Sequence, residues 1–375
     1  MSDGERTVAT HDEVFMRRAL ALAANGWGQT APNPMVGAVV VRDGAVVGEG
    51  WHTRYGAPHA EIDALAAAGD AARGATIYVT LEPCTHHGQT PPCALALIAA
   101  GISRVVIAAA DPNPVATGGA ARLVEHGVHV ELGVEEAAAR ELNAAFFHSY
   151  ASPRSFVQLK LALSLDGALT DHTRQRGWLT GADARREVHR LRAGSDGVAV
   201  GIGTARADDP LLTVRDAPVP PRIAPARIVF DTSARLPLTS RLVQTARQQR
   251  TIVVCWAPDP AHAAALEHAG VTLVHSATLA DALVALRTAG IRSLLVEGGA
   301  ALASSFLQEA LVDRLIIFRA PLILGGGALN GFGGLPPTTL GAALRWRVVD
   351  ARQFGDDEMT VYACRPERSE GPALP

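Results

Sequence analysis

GAPHAEIDALAAAG (residues 56–69) and, eleven residues on, TLEPCTHHGQTPPC (residues 80–93) decide how this chain is read. The first stretch places Glu61 two residues after His59; the second holds Cys84 and Cys93 with eight residues between them. One imidazole and two thiols make three ligands for a tetrahedral zinc, and three rather than four leave a position open for water. Zinc lowers the pKa of such a water to roughly 7. Glu61 stands close enough to handle its protons without being a ligand, the division of labour of the zinc deaminases. The expected chemistry is hydrolytic loss of an amino group. A structural zinc knuckle, the plain alternative, calls for four ligands and no adjacent unligated acid. His86 and His87, between the cysteines, are read as facing substrate or solvent rather than metal.

Working outward, His59 and Glu61 open a helix running to about Ala68, and Cys93 opens an Ala/Leu-rich helix to Ala100. Helix N-termini favour thiolate over thiol, so the fold is expected to prepare the ligands. A helical pattern over 12–24, strands VGAVVV and AVVGEG around the turn Arg42-Asp43-Gly44, and buried-strand candidates ATIYVT and RVVIAAA complete an α/β sheet with helices on its faces. A helix ending near His148 and a Pro-containing polar stretch mark a junction at 149–155. Beyond it the alternation resumes, with strands GVAVG, ARIVFD, TIVVCW, SLLVEGG and DRLIIFRAP and helices near 182–192, 278–289 and 299–310. This defines a first domain over 1–150, a second over 151–365, and a disordered tail over 366–375. APVPPRIAP is a surface loop, and so is LGGGALNGFGG (324–334), which lacks the helix and acidic residue of a dinucleotide fingerprint.

The 375 residues suffice for two or three domains; 48% hydrophobic and 19% charged residues mark a globular chain. A formal charge of −3 with no Lys/Arg block argues against a nucleic-acid surface. No apolar signal core and no run of 18 apolar residues is present, so a cytoplasmic enzyme of small molecules, without membrane partners, is expected. Cys255 is read as a core residue, and no disulfide is expected.

APNPMVGAVVV, GWHTRYGAPHAE, TLEPCTHHGQTPPC and DPNP (111–114) resemble the bacterial bifunctional riboflavin-biosynthesis deaminase/reductase family. The eight-residue gap between the cysteines, rather than two, distinguishes that branch from deaminases of tRNA adenosine or free cytidine. The resemblance covers nearly the whole chain and implies a cytidine-deaminase-like three-layer α/β/α domain followed by a dihydrofolate-reductase-like α/β domain. The implied substrate is 2,5-diamino-6-ribosylamino-4(3H)-pyrimidinone 5′-phosphate, deaminated at C2. Asn33 matches a base-contacting position; as an Asn before Pro34 it is equally a turn residue. Asp111 and Asn113 are similarly open between turn chemistry and ligand binding.

In the second half, KLALSLDG (160–167), GWLTG, RREVHRLRA, GTARADDPLLTVR (203–215) and VEGGAALASSF (296–306) resemble the reductase half of that family. The resemblance implies NADPH reduction of the ribosyl C1′ to a ribityl chain. Ala162, Trp178, Thr204, Asp208, Thr232 and the run Gly299, Ala300, Ala301, Leu302, Ala303, Ser304 and Ser305 match cofactor contacts. Arg192, Leu212, Arg215 and Glu297 match substrate contacts. Arg176 stands where the family usually has a substrate-contacting serine; its guanidinium could still reach a phosphate. Glycines at the turn before Ala300 suit phosphate held at a helix N-terminus. No residue stands out as proton donor to the sugar oxygen. The rivals are a tRNA or free-base zinc deaminase with an unrelated appended domain and a non-catalytic, zinc-stabilised RNA-binding module. A homo-oligomer is compatible with the sequence.

Overall fold

The computed structural model describes residues 10–86, 92–175 and 177–364. The tail assigned to 366–375, His87 and Arg176 lie outside them. The chain divides into two compact units, Met1–Ala151 and Ser152–Pro375.

The first unit runs α1 (His11–Ala23), β1 (Gly37–Arg42), β2 (Ala45–Trp51), α2 (Ala60–Ala68), β3 (Thr76–Leu81), α3 (Cys93–Ala99), β4 (Arg104–Ala109), α4 (Gly119–Glu125), β5 (His129–Leu132), α5 (Glu136–Leu142) and α6 (Ala144–Ala151). Its five-stranded sheet has the order β2-β1-β3-β4-β5. β1 is antiparallel to β2 and β3, while β3, β4 and β5 are parallel. Successive residues of a strand face opposite sides. Ala38, Val40, Ile77 and Val105 therefore pack with Ala60, Ala64 and Leu97 on one side, and Val39, Tyr78 and Val106 with Met16, Ala19 and Ala139 on the other. The result is a three-layer α/β/α unit. Thr10 and Glu13 close a capping box at the start of α1, satisfying backbone donors that have no partner inside the helix.

The second unit runs β6 (Phe156–Leu163), β7 (Ala168–Thr170), α7 (Ala182–Ala193), β8 (Gly197–Gly201), α8 (Ile202–Asp208), β9 (Ala226–Phe230), α9 (Arg241–Gln244), β10 (Thr251–Cys255), α10 (Pro260–His268), β11 (Thr272–His275), α11 (Leu279–Thr288), β12 (Ser293–Glu297), α12 (Ala300–Gln308), β13 (Arg314–Arg319), β14 (Leu329–Asn330), β15 (Trp346–Phe354) and β16 (Asp357–Cys364). Nine strands form one sheet, ordered β11-β10-β9-β8-β12-β6-β13-β16-β15. β16 runs antiparallel to β13 and to β15, and the other neighbours are parallel. Ile228, Phe230 and Ala199 face one core; Val229, Val198 and Val200 face another. Strand order reverses where β12 inserts between β8 and β6, and open α/β sheets bind ligands at the strand C-termini beside such a switch point.

Two features depart from the sequence reading. The glycine-rich run 324–334 is not wholly loop, because β14 pairs antiparallel with β7. The hairpin β15–β16 was not marked, since WRVVDARQF and DEMTVYAC are too rich in charged residues to read as strands by hydropathy. Among the described residues no helix is long and apolar enough to cross a membrane.

Candidate active sites

α2 delivers His59 because it can lie directly on β2. A Cβ on Gly50 would stand 2.4 Å from the Ala60 carbonyl oxygen, so only glycine lets the helix approach so closely. His59 is the extended N-cap residue of α2, Cys84 follows β3, and Cys93 is the first residue of α3. The His59 Nδ1 stands 3.2 Å from the Cys93 Sγ and 3.6 Å from the Cys84 Sγ, and the three ligand atoms lie within 4.8 Å of one another. Two soft sulfurs and one imidazole nitrogen at this spacing fit a zinc ion. Glu61 is buried within the same pocket, and burial raises its carboxyl to about 7, where it can both take and give a proton.

Cys84, bonded to Cys93 and His59 and accepting from the Cys93 N–H at 3.4 Å, is brought down to about 4. Cys93 is pushed above the ordinary thiol range by its bond to Cys84. Two sulfurs this close share one proton, and a divalent cation between them is what lets both be thiolates. Cys255 is buried, and the four cysteines are free thiols.

Asn33 lies beside this pocket. Its Nδ2 is 3.2 Å from the His52 Nε2, and the His52 Nδ1 is 3.0 Å from the Pro58 carbonyl. The carbonyl can only accept, so Nδ1 carries the proton and Nε2 accepts from the amide. Burial lowers the pKa of His52 and keeps it neutral for that role. Among the described residues the Asn33 Oδ1 and its second N–H have no further partner. The sequence reading missed His52, whose signal was a histidine in GWHTRYG seven residues before a metal ligand.

Glu82 was also missed. Its carboxylate accepts from the N–H groups of Asp111, Gly118 and Ala120 and from the Thr117 hydroxyl, at 3.0–3.2 Å. One carboxylate thus braces the whole loop after β4. Asp111 and Asn113 both cap turns within it, accepting from the Asn113 and Val115 N–H groups. Asp111 is nonetheless raised to about 6, chiefly by burial, and Glu82 and Cys84 add to it. His86 is partly buried, and its Nδ1 has no hydrogen-bond partner among the described residues.

In the second unit the parallel neighbours β8 and β12 end side by side, so α8 and α12 begin together. A Cβ on Gly299 would lie 3.0 Å from the Thr204 Oγ1, and the N-cap Gly299 has no side chain to satisfy the first N–H groups of α12. That is a cradle for a phosphate. Ala300, Ala301 and Leu302 form the open first turn. Ala303 and Ser304 are buried, and the Ser305 hydroxyl bonds back to the Ala301 carbonyl at 3.1 Å. Asp208 ends α8, Thr232 is exposed just past β9, and Ala162 is partly buried on β6. Trp178 is 73% exposed, with the Arg185 guanidinium 5.2 Å from its ring centre.

Arg192 and Glu297 form a two-pronged ion pair, at 2.5 Å and 2.8 Å, and Arg192 also donates to the Thr213 carbonyl at 2.8 Å. Burial would raise Glu297, but Arg192 and then Lys160 outweigh it and hold the carboxyl low. Leu212 is buried in the core at φ 52°, in the left-handed region. Arg215 is exposed, and its N–H reaches the Nδ1 of buried His189 at 3.4 Å.

Lys160 pairs across the sheet with Glu297. Its ammonium lies 5.4 Å from the Phe318 ring centre, with no hydrogen-bond partner among the described residues, and burial lowers its pKa. Its sequence signal was a single cation inside the apolar strand FVQLKLAL.

Fold and geometry define a zinc deaminase unit joined to a dihydrofolate-reductase-like unit. Residues 9–109 match the family model of the cytidine and deoxycytidylate deaminase zinc-binding region, and residues 155–360 match that of the RibD C-terminal domain. The chain is 40% identical to the riboflavin biosynthesis protein RibD of Aquifex aeolicus, covering 94% of this chain and 98% of that one. It is 41% identical to that of Escherichia coli (strain K12), covering 92% and 97%. Among solved structures, Acinetobacter baumannii RibD superposes with a TM-score of 0.83 at 38% identity over 95% of this chain and 99% of that one. The deaminase/reductase of Thermotoga maritima does so with 0.81 at 35% identity, over 95% and 99%.

The chain belongs to the riboflavin biosynthesis protein RibD family. It is a bifunctional deaminase and reductase, with zinc for the first activity and NADPH for the second. The RibD C-terminal match rules out the unrelated appended domain that the tRNA or free-base deaminase alternative requires.

Proposed function

We propose that residues 1–150 deaminate 2,5-diamino-6-ribosylamino-4(3H)-pyrimidinone 5′-phosphate at C2, and that residues 151–365 then reduce its ribosyl C1′ with NADPH, in the cytoplasm and without nucleic-acid or membrane partners. The observation that carries the first step is the buried Glu61 beside three ligand atoms within 4.8 Å of one another. His59, Cys84 and Cys93 would hold the zinc, which when bound would supply the Lewis acidity that lowers the pKa of a water to roughly 7. Glu61 takes the proton released as oxygen adds to C2 and gives it to the departing amine, which leaves as ammonia. Asn33, fixed by His52, offers one acceptor and one donor to the pyrimidinone edge. Asp111 is placed by its braced loop to accept from an amino group.

In the reductase, NADPH supplies a hydride to C1′. Thr204, Asp208, Thr232 and the turn Gly299–Leu302 hold the cofactor's phosphates and ribose, with Ala162 and Trp178 along its path. Ala303, Ser304 and Ser305 support that turn from within α12. Lys160, unpaired and beside Glu297, gives the sugar ring oxygen its proton, and Glu297 orients ribose hydroxyls. Arg215 binds the 5′-phosphate. Arg192, engaged by Glu297, keeps that carboxylate ionised and has remaining N–H groups for the same phosphate. Leu212 supports the wall of the site from the core. Arg176 is proposed on sequence alone as a further phosphate contact.

The test is a coupled assay with the diaminopyrimidinone phosphate and NADPH, following ammonia and NADPH oxidation together. Both should appear in equal amounts. Ammonia without NADPH loss would overturn the two-step reading, as would ammonia from cytidine but not from this substrate.

A further inference from the structure

Past the C-terminal end of β9, Thr232 and Arg235 are exposed, while Asp231, Ala234 and Leu236 are buried and Ser233 is half-buried. On the neighbouring β10, Cys255 is buried and Trp256 is 58% exposed. The two chain ends are fastened together, since the N–H groups of Trp256 and Ala257 both reach the Thr232 carbonyl, at 2.8 and 2.9 Å. The Arg235 guanidinium is held loosely, 3.8 Å from the Asp231 carboxylate, with 60% of its side chain exposed. A large flat indole, a hydroxyl and a free-ended cation therefore share one ledge. The ledge lies on the strand-end side of the sheet where α8 and α12 begin, two strands (β9) and three strands (β10) outward from β12.

A dinucleotide whose pyrophosphate rests at Gly299 and whose ribose passes Thr232 carries its adenine further in that direction. An adenine needs a flat apolar surface, and a 2′-phosphate needs a cation. We propose that Trp256 stacks on the adenine of the cofactor and that Arg235 binds its 2′-phosphate, so that these two residues select NADPH over NADH. This inference rests on the cofactor reading of α8 and α12 given above.

Calorimetric titration of the full-length protein tests it, using NADPH, NADH, adenosine 2′,5′-bisphosphate and reduced nicotinamide mononucleotide. Trp256→Ala should weaken NADPH and the bisphosphate by about tenfold, as expected from base–aromatic stacking, and leave the mononucleotide unchanged. Trp256→Phe, which keeps a ring, should recover most of the affinity and lose part of the tryptophan quenching that NADPH causes in the wild type. Arg235→Gln should weaken NADPH and leave NADH unchanged. Wild-type bisphosphate affinity in Trp256→Ala, or an equal loss for the mononucleotide, would overturn the inference alone. A wild type that ignores NADPH would overturn the reading of α8 and α12 as well.

Discussion

At the scale of single residues, the deaminase site separates metal binding from proton transfer. Glu61 is close to the three ligands yet is not needed to complete them. Glu61→Gln should therefore retain one zinc per chain by metal analysis while ammonia release falls by about 10²–10⁴-fold, the usual contribution of a positioned acid/base. Lys160 gives a prediction of pH dependence. Burial disfavours its charged form and lowers its pKa. A donor must be protonated, so reductase turnover should be flat at low pH and decline through an inflection below the ordinary lysine value of about 10.4. Lys160→Met should remove that inflection along with most of the turnover; an unchanged pH profile in the variant would exclude lysine as the donor.

The four zinc-site residues were legible in the sequence because their spacing is local: a triplet, a Pro-Cys and a fixed gap. His52, Glu82, Lys160 and His189 were not. Each acts through a partner brought near by folding, and nothing in spacing tells that Glu82 meets Gly118 or that Lys160 meets Glu297. The Arg192–Glu297 pairing shows the same limit: both residues were marked, but 105 residues of separation hid that they hold each other.

At the scale of elements, α1 is fastened to the sheet by charge as well as by its apolar stripe. Asp12 receives two bonds from Arg104, at 2.9 and 2.7 Å, and one from the Tyr78 hydroxyl at 2.6 Å. Arg104, first and foremost, holds the Asp12 carboxyl at about 2. A carboxyl lowered on folding stabilises above its unfolded pKa, and that gain is lost as pH falls through the folded value. Asp12→Asn should cost about 1–2 kcal/mol at pH 7, and the difference from wild type should disappear towards pH 2 in denaturant titrations. The start of α4 is equally constrained. A Cβ on Gly119 would meet the Pro83 carbonyl oxygen at 1.8 Å, next to the ligand Cys84. Gly119→Ala should cost about 1–3 kcal/mol by overpacking and lower zinc content, which thermal melts and metal analysis would both record.

At the scale of the whole chain, the two activities sit in units with separate cores. Glu61→Gln supplied with the deaminated intermediate should oxidise NADPH at the wild-type rate, and Lys160→Met should release ammonia from the first substrate at the wild-type rate. Loss of both activities in either variant would mean that the chemistries are not separable. The alternation of strand and helix was readable in both halves because buried parallel strands are short apolar runs. The β15–β16 hairpin escaped because β15 is largely exposed and charged and β16, though mostly buried, begins with Asp357 and Glu358, so hydropathy gives the pair no signature.

The bonds that Glu82 makes begin at Asp111 and end at Ala120, bracketing a tip whose Val115 is 66% exposed. Anchorage is thereby confined to the two ends of the loop, and its tip is left outside the brace. Substitution of the exposed Val115 should therefore leave the brace and the metal ligands fixed, so that zinc content by metal analysis stays at the wild-type level and the tip tolerates change that the anchored ends of the loop do not.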